Sequence, residues 1–172
     1  RWNFGKSHLV VSAFQITKPY FGFDRSVPGS LKPFVELGRV RHRGVELSLA
    51  GHFGDRLHLL AGAVLMQPRV IDPPIDVALV GTRPAGTPSL FARLDLNYRT
   101  DIFGGLTPVV ALTYAGKRAV GPPPPASRDQ LMLPPHVTLD LGLRQRFQAG
   151  KLPMSLRFML SNVFDEAAWK VI

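Results

Sequence analysis

The chain has 172 residues, a formal charge of +9 and no cysteine. The absence of cysteine excludes a disulfide scaffold, a thiolate metal site and a cysteine nucleophile. Sixteen glycines and sixteen prolines oppose a helical protein, whereas 45% apolar residues exceed what a disordered chain carries. The positive charge makes a basic nucleic-acid-binding β-sheet one hypothesis.

Alternation of apolar and polar residues along the chain predicts antiparallel β-strands, each with one apolar face. A strand over 9–17, whose facing is ambiguous, and a long strand over 32–52 come first. Further strands follow at 57–65, 90–98, 109–114, 137–146 and 154–161. The prediction is an all-β fold of about seven strands.

The connections between these strands alternate in length. Short turns are predicted near 54–55, 100–105 and 149–151, and long proline-rich connections at 22–32, 70–88 and 119–135. This layout is typical of an antiparallel transmembrane β-barrel, with short periplasmic turns and longer extracellular loops. A soluble β-sandwich that acts as a binding module is the alternative, because it also buries one face of each strand.

Charged residues of the clearest strands fall almost entirely on one parity. They are Glu46, Arg56, Arg93, Asp95, Arg99, Asp140, Arg144, Arg146 and Arg157. An arginine or lysine at the bilayer midplane costs roughly 2–4 kcal/mol, so a lipid-facing row must be free of charge. The mixed signs of the charged row suit a polar barrel lumen and disfavour nucleic-acid binding. The residues predicted to face the lumen are Glu46, Arg93, Asp95, Asp140, Arg144 and Arg157.

Three segments resemble strands from the C-terminal half of the barrel in TonB-dependent outer-membrane siderophore receptors. Residues 13–19, Ala-Phe-Gln-Ile-Thr-Lys-Pro, are similar to the strand that ends in F-x-I-T-K-P in this family. Residues 43–49 begin Arg-Gly-Val-Glu-Leu and are similar to its R-G-V-E-L-E strand. Residues 161–165, Ser-Asn-Val-Phe-Asp, are similar to the N-L-F-D that closes the penultimate strand. Their order and spacing cover nearly the whole chain.

The resemblance implies a barrel with a plug in its lumen, importing ferric siderophores across the bacterial outer membrane. We expect residues 1–172 to be the C-terminal portion of such a barrel, without the plug domain and the final strand. Expected partners are the ferric siderophore, the inner-membrane TonB complex through the missing N-terminal region, and outer-membrane lipid and lipopolysaccharide. Neither nucleic acid, nor a cofactor, nor an enzymatic activity is expected.

Aromatic residues gather at both ends of the predicted strands. Phe53, Tyr98 and Phe147 end apolar rows before short turns, as in a membrane-interface girdle. Tyr20, Phe21 and Phe23 precede Arg25 at the start of a long loop. At the external mouth, these four side chains would contact an anionic ferric chelate by stacking and charge attraction. An outer aromatic girdle is the other interpretation, and both stay open.

The remaining polar residues predict no catalytic or metal site. His52 and His58 share one parity beside a short turn and are expected to approach each other. Two imidazoles near Asp55 would make a weak metal site at best, and no hydrolytic pattern is present. Basic residues near loops and strand ends are Arg41, Arg43, Arg83, Lys117, Arg118 and Arg128. The outer members of this set would meet lipopolysaccharide phosphates.

Overall fold

The computed structural model describes residues 1–29, 31–73, 76–124, 127 and 129–168. Arg128 and the end of the chain at 169–172, which bears on the expected missing final strand, lie outside these residues. The described strands are β1 (Trp2–Phe4), β2 (Ser7–Phe23), β3 (Phe34–Phe53), β4 (Leu57–Ile71), β5 (Leu90–Tyr98), β6 (Thr107–Ala115), β7 (Arg118–Ala119), β8 (Met132–Leu133), β9 (His136–Ala149) and β10 (Leu152–Leu160). One helical turn, α1 (Val77–Val80), and a 3₁₀ turn at Ile102–Gly104 complete the fold. None of the helices in this part of the chain has the length and apolar character needed to span a bilayer.

Eight of the strands form one antiparallel sheet in the order β1-β2-β3-β4-β5-β6-β9-β10. Strands adjacent in the sheet are also consecutive in the chain, except that β6 pairs with β9 across the small β7–β8 hairpin. The seven predicted strands correspond to β2 to β6, β9 and β10, so the all-β antiparallel prediction is confirmed. β1, β7 and β8 are additional, because two or three residues are too few for alternation to reveal a strand.

The large sheet is a single open layer with β1 and β10 at its edges. A sandwich requires a second sheet packed about 10 Å away. The other sheet in the described part of the chain is only the hairpin of two-residue strands β7 and β8. The soluble β-sandwich alternative is therefore wrong for these residues.

The two ends of the sheet differ as the sequence predicts. Turns at 5–6, 54–56, 99–106 and 150–151 lie at one end, which we call the turn end. The described residues of loop 1 (24–33), loop 2 (72–89) and loop 3 (116–135) lie at the other, the loop end. Gly54 and Gly150 each have a φ of 65°, a left-handed conformation that favours glycine and closes a hairpin tightly.

The strand register brings the apolar rows of successive strands together on one face. One cross-strand row contains Leu9, Leu49, Ala61, Leu94, Leu112 and Leu139. We call this side the apolar face; it carries the odd positions of β3, β4 and β9 and the even positions of β5, β6 and β10. The other side is the polar face. The register also settles the facing of β2, whose Leu9, Val11 and Ala13 lie on the apolar face.

Burial differs between the two faces. On the apolar face, large side chains such as Leu47 (43% exposed), Leu65 (61%) and Phe158 (68%) are open. On β6 the buried side chains instead belong to the polar face: Thr107, Val109, Ala111 and Ala115. A continuous exposed apolar surface of this kind requires an apolar surrounding to cover it.

The apolar face does not extend along the whole length of the longest strands. β2 has 17 residues and β3 has 20, whereas a strand crosses a bilayer with about 9–11. The apolar row ends at Val45 on β3 and at Leu65 on β4. Toward the loop end, the same rows continue with Arg43, Arg41 and Arg39 on β3 and with Gln67 and Arg69 on β4. The loop ends of β3 and β4 therefore project beyond the apolar band.

Candidate functional site

The three long loops line a common cavity of about 800 Å³ at the loop end. Loop 1 and the adjoining strand ends contribute Tyr20, Phe23 and Arg25, and loop 2 contributes Val80. Loop 3 adds Val120, Gly121, Pro122 and Leu131. The cavity is thus a mixed site, with apolar and aromatic walls and cationic side chains at its border.

Three of the four predicted ligand-contacting residues line this cavity, and one does not. Tyr20, Phe23 and Arg25 are among its lining residues, whereas Phe21 is not. Phe21 is 53% exposed and stacks on Phe34 with 6.2 Å between ring centroids. The bulge of β2 between Pro19 and Phe21 interrupts the register there, so sequence parity does not predict which aromatic side chains share the cavity.

Positive charge predominates at the cavity. Arg25 and Lys32 both line it, and their described hydrogen bonds go to the backbone carbonyls of Pro123 (3.4 Å) and Val27 (3.2 Å). Asp24 accepts hydrogen bonds from the hydroxyl (2.5 Å) and backbone amide (2.9 Å) of Ser26. These bonds, with a smaller contribution from the charge of Lys32, lower the pKa of Asp24, which therefore stays ionised. Two positive charges and one negative charge favour an anionic ligand.

A glutamine side chain joins loop 2 to loop 3. The Oε1 atom of Gln130 accepts from the backbone amides of Thr82 (3.0 Å) and Arg83 (2.8 Å). Its Nε2 atom donates to the carbonyls of Arg83 (2.8 Å) and Gly121 (2.7 Å). Gly81, at φ 89°, lies so close that a Cβ atom there would collide with the Gln130 amide. This polar side chain therefore links loop 2 to loop 3, in addition to the backbone hydrogen bond from Gly86 to Ala119 (2.9 Å).

Replacing Gln130 with alanine is expected to loosen the contact between loops 2 and 3 around Thr82 and Arg83 while leaving the large sheet intact. The amides of Thr82 and Arg83 lose their acceptor, and each hydrogen bond contributes about 0.5–1.5 kcal/mol. We expect about tenfold faster hydrogen exchange at these two amides. Ser127→Ala is the matched control, because the described hydrogen bonds of the Ser127 hydroxyl, both with the Asp129 backbone, stay within loop 3. Unchanged exchange in Gln130→Ala would contradict the role of this side chain.

The six residues predicted to face a lumen all lie on the polar face. The strand register places all six on one side of the sheet: Glu46, Arg93, Asp95, Asp140, Arg144 and Arg157. Arg93 forms a two-pronged ion pair with Asp95, with Nε–Oδ2 and Nη2–Oδ1 distances of 2.7 Å. The register therefore gathers residues from four strands on one surface.

Not every charge on the polar face has an opposite charge beside it. Arg144 and Arg157 are directly opposite each other on β9 and β10, and like charges in that position repel. Asp140 accepts from the backbone amide of Asn162 (2.8 Å) through Oδ1. The polar face is a mixed surface in which some charges pair internally and others face solvent or a further polar group.

The predicted approach of His52 and His58 is confirmed. The two residues are cross-strand partners, with ring centroids 4.7 Å apart. They line a cavity of about 530 Å³ at the turn end, together with Arg56, Arg99, Arg144 and Arg146. Among the described residues, no three His, Asp or Glu side chains form a group suited to a metal ion.

Arg56 ties two turns together at the same end. Its Nη2 atom lies 2.5 Å from Oδ2 of Asp101. A hydrogen bond with Tyr98 and the charge of Asp101 raise the pKa of Arg56. The guanidinium therefore stays charged and connects the 54–56 turn to the 99–106 turn.

The profile of the family described as TonB dependent receptor-like, beta-barrel matches residues 1–163. The chain belongs to this family of TonB-dependent receptor barrels. Its members are transport receptors of the bacterial outer membrane rather than enzymes, which explains why a whole sheet face is apolar and open. The recognition from residues 13–19, 43–49 and 161–165 is thereby confirmed, as is the outer-membrane location.

Two relatives show how much of this TonB-dependent receptor chain is similar to known proteins, and at what identity. The ferrichrome receptor FcuA of Yersinia enterocolitica is 26% identical over 169 residues, which are 95% of this chain and 20% of FcuA. The crystal structure of BauA, the ferric preacinetobactin receptor of Acinetobacter baumannii, has a TM-score of 0.77 and 25% identity. That match covers 98% of this chain and 24% of BauA.

A further structure shows the same fold at lower identity. The ferric-catecholate import receptor Fiu from Escherichia coli K12 is 17% identical, with a TM-score of 0.68 over 95% of this chain and 22% of Fiu. The chain therefore spans only about a fifth to a quarter of these TonB-dependent receptors, as the shares of 20% and 24% show.

Sequence reasoning missed part of the loop-end site in this TonB-dependent receptor chain. Val80, Val120 and Leu131 line the cavity, and Gln130 fastens its walls, but none of them belongs to an alternating row. The sequence signal that could have indicated the cavity was the presence of single apolar residues within the proline-rich loops. A glutamine that bonds to a loop 47 residues away has no signature in one sequence.

Proposed function

We propose that this chain forms part of the wall of an outer-membrane receptor that imports ferric siderophores with energy from the TonB complex. The family match over residues 1–163 is the observation that carries the proposal. The names of FcuA and BauA support the ligand class, since both are receptors for ferric siderophores. The chain's role is that of a transporter wall without catalysis.

The polar face is proposed to line the lumen and the apolar face to meet lipid. The ion pair of Arg93 with Asp95 supports the first assignment, because paired and mixed charges suit an aqueous interior. Exposed Leu47 and Leu65 support the second, because water would disfavour a continuous apolar face. Two points stay predictions from the sequence. One is that the wall is the C-terminal portion of its barrel, without the plug and the final strand. The other is that nucleic acid is not among the partners.

The loop-end cavity is proposed to contact the ferric siderophore. Tyr20 and Phe23 offer aromatic surfaces, and Arg25 and Lys32 offer positive charge. An anionic chelate with flat or apolar groups would be held there by stacking and by charge-assisted hydrogen bonds. The cavity is one wall of a site, since only part of the barrel is present.

The function is tested by iron uptake into cells that express the chain from its complete reading frame and lack other ferric siderophore receptors. Ferrichrome and ferric preacinetobactin, loaded with radioactive iron, are the first substrates to supply. We expect uptake of at least one ferric siderophore, abolished when TonB is deleted. A correctly inserted protein that imports no ferric siderophore would overturn the proposal.

Two aromatic substitutions separate a ligand site from an aromatic girdle. Phe23→Ala removes a cavity wall and is expected to weaken ligand binding about tenfold, since an aromatic stacking contact contributes about 0.5–1.5 kcal/mol beyond its buried area. Phe21→Ala is the matched control, because Phe21 does not line the cavity. The rings of Phe21 and Phe23 both pack against Phe34. The two alanine variants therefore lose similar local packing. Equal effects of the two substitutions on binding would contradict the cavity assignment.

A further inference from the structure

A groove of about 970 Å³ lies where the apolar face turns polar, at the loop end of β3 and β4. Three arginines line it: Arg43 from β3, Arg69 from β4 and Arg83 from loop 2. Val45 and Leu65, the last apolar residues of the two rows, line the same groove. Its described lining residues include neither aspartate nor glutamate. The groove is therefore cationic on one side and apolar on the other.

The positive charge of this groove is not neutralised by the described residues. Arg43 donates from Nε (2.9 Å) and Nη2 (2.6 Å) to Oε1 of Gln67, a neutral amide. The ion pairs of Arg56 with Asp101 and of Arg93 with Asp95 lie elsewhere in the sheet and its turns. The neighbouring β2 residues on this face, Gln15 and Thr17, are uncharged. An anion from outside the chain would therefore find unneutralised guanidinium groups here.

One further arginine, Arg41, adds to the charge beside the groove. Arg41 and Arg69 are direct cross-strand partners on β3 and β4. Like charges in this position destabilise a sheet, and an anion between them would remove the repulsion. An arginine is also suited to bind phosphate, because its planar guanidinium donates two parallel hydrogen bonds.

The position of the groove along the strands identifies the source of the anion. Val45 is 46% exposed and Leu65 is 61% exposed, and both end the apolar rows. The next residues in the same rows, Arg43 and Gln67, lie two positions further, which is about 7 Å along a strand. A change from apolar to cationic over this distance matches the boundary between acyl chains and charged headgroups, where anionic lipid attracts basic side chains.

We propose that this groove binds the phosphate groups of a phosphorylated outer-leaflet lipid. Arg43, Arg69 and Arg83 hold the phosphates, Arg41 adds to the positive field, and an acyl chain follows Leu65. The inference rests on the proposed contact of the apolar face with lipid. It adds to that proposal a defined headgroup site at the loop end.

The test uses the protein expressed from its complete reading frame and purified in a mild neutral detergent. Binding is measured with bis-phosphorylated lipid A in micelles, with dephosphorylated lipid A in the same micelles, and with inorganic phosphate. We expect binding of the bis-phosphorylated lipid, weakened by added salt. The double variant Arg43→Gln/Arg69→Gln should bind it at least about tenfold more weakly. Dephosphorylated lipid and inorganic phosphate should bind weakly and equally to both proteins.

Two further variants keep the test specific. Arg43→Lys/Arg69→Lys preserves the charge but loses the planar fork, and it should recover part of the affinity. Lys6→Gln/Lys151→Gln removes two exposed charges from turns at the opposite end and should bind like the unaltered protein. Inorganic phosphate binding as tightly as the lipid, or full affinity in the glutamine variant, would overturn the inference. A protein that inserts and imports iron but ignores lipid A would overturn the lipid site alone.

Discussion

Leu47→Arg is expected to prevent assembly of the barrel in the outer membrane, whereas Ser48→Arg is expected to be tolerated. Leu47 lies on the apolar face, is 43% exposed, and stands opposite Val11 and Ala63. An arginine facing lipid costs roughly 2–4 kcal/mol at the midplane and less toward the interfaces, and Leu47 lies one step inside Val45, the last apolar residue of its row. The midplane cost is a large part of the stability of many folded proteins.

Ser48 is the matched control for this substitution because it is the next residue of the same strand and faces the other way. It stands opposite Val10 and Gly62, so a long side chain has room across from the glycine. Glu46, on the same face two residues away, offers a partner for the new charge. Assembly is measured by the heat-modifiable electrophoretic migration of the outer-membrane fraction. Equal assembly of both variants would show that the two faces have been assigned incorrectly.

Gly44→Val is expected to cause a large loss of stability, because a side chain at this position crowds the backbone of β4. A Cβ atom on Gly44 would overlap the carbonyl oxygen of Leu65 and lie 2.9 Å from Cα of Met66. These are backbone atoms of β4, so a side chain that rotates away cannot relieve the contact. Overpacking of this kind costs about 1–3 kcal/mol or more, and we expect a lower midpoint of unfolding in urea.

Gly62→Val provides the control for the valine substitution. Gly62 lies on the same face of the sheet, yet a Cβ atom there would approach only the Leu47 carbonyl oxygen, at 3.7 Å. Valine is favoured in strands, so this variant should be as stable as the unaltered chain or slightly more stable. Similar destabilisation by both substitutions would mean that the close approach of β3 and β4 at Gly44 is not the cause.

These two pairs of variants test different requirements of one sheet. The arginine pair tests what surrounds the sheet, because only the surrounding medium distinguishes the two sides of β3 at residues 47 and 48. The valine pair tests how closely neighbouring strands pack, whichever medium surrounds them. A receptor wall needs both, because its strands must pair tightly and still present one face to lipid.

Residue parity accounts for the polar face and for the histidine pair at the turn end, but not for the loop-end cavity. Parity predicted correctly that Glu46, Arg93 and Asp95 share one face, because side-chain direction in a strand alternates by local geometry. Parity also predicted the approach of His52 and His58 across a short turn. It does not decide which aromatic side chains share the loop-end cavity, because a bulge interrupts the alternation between Pro19 and Phe21.

The sequence by itself determined the seven longer strands, their apolar and polar rows, the short and long connections and the family, because alternation and short motifs are local properties of a chain. Only the tertiary structure decided the facing of β2, the loop-end cavity, the Gln130 bonds between loops, and the cationic groove of Arg43, Arg69 and Arg83. Each of these depends on strand register or on loops that meet far apart in sequence. Contacts of that kind form when the sheet is assembled, and no periodic pattern in one segment records them.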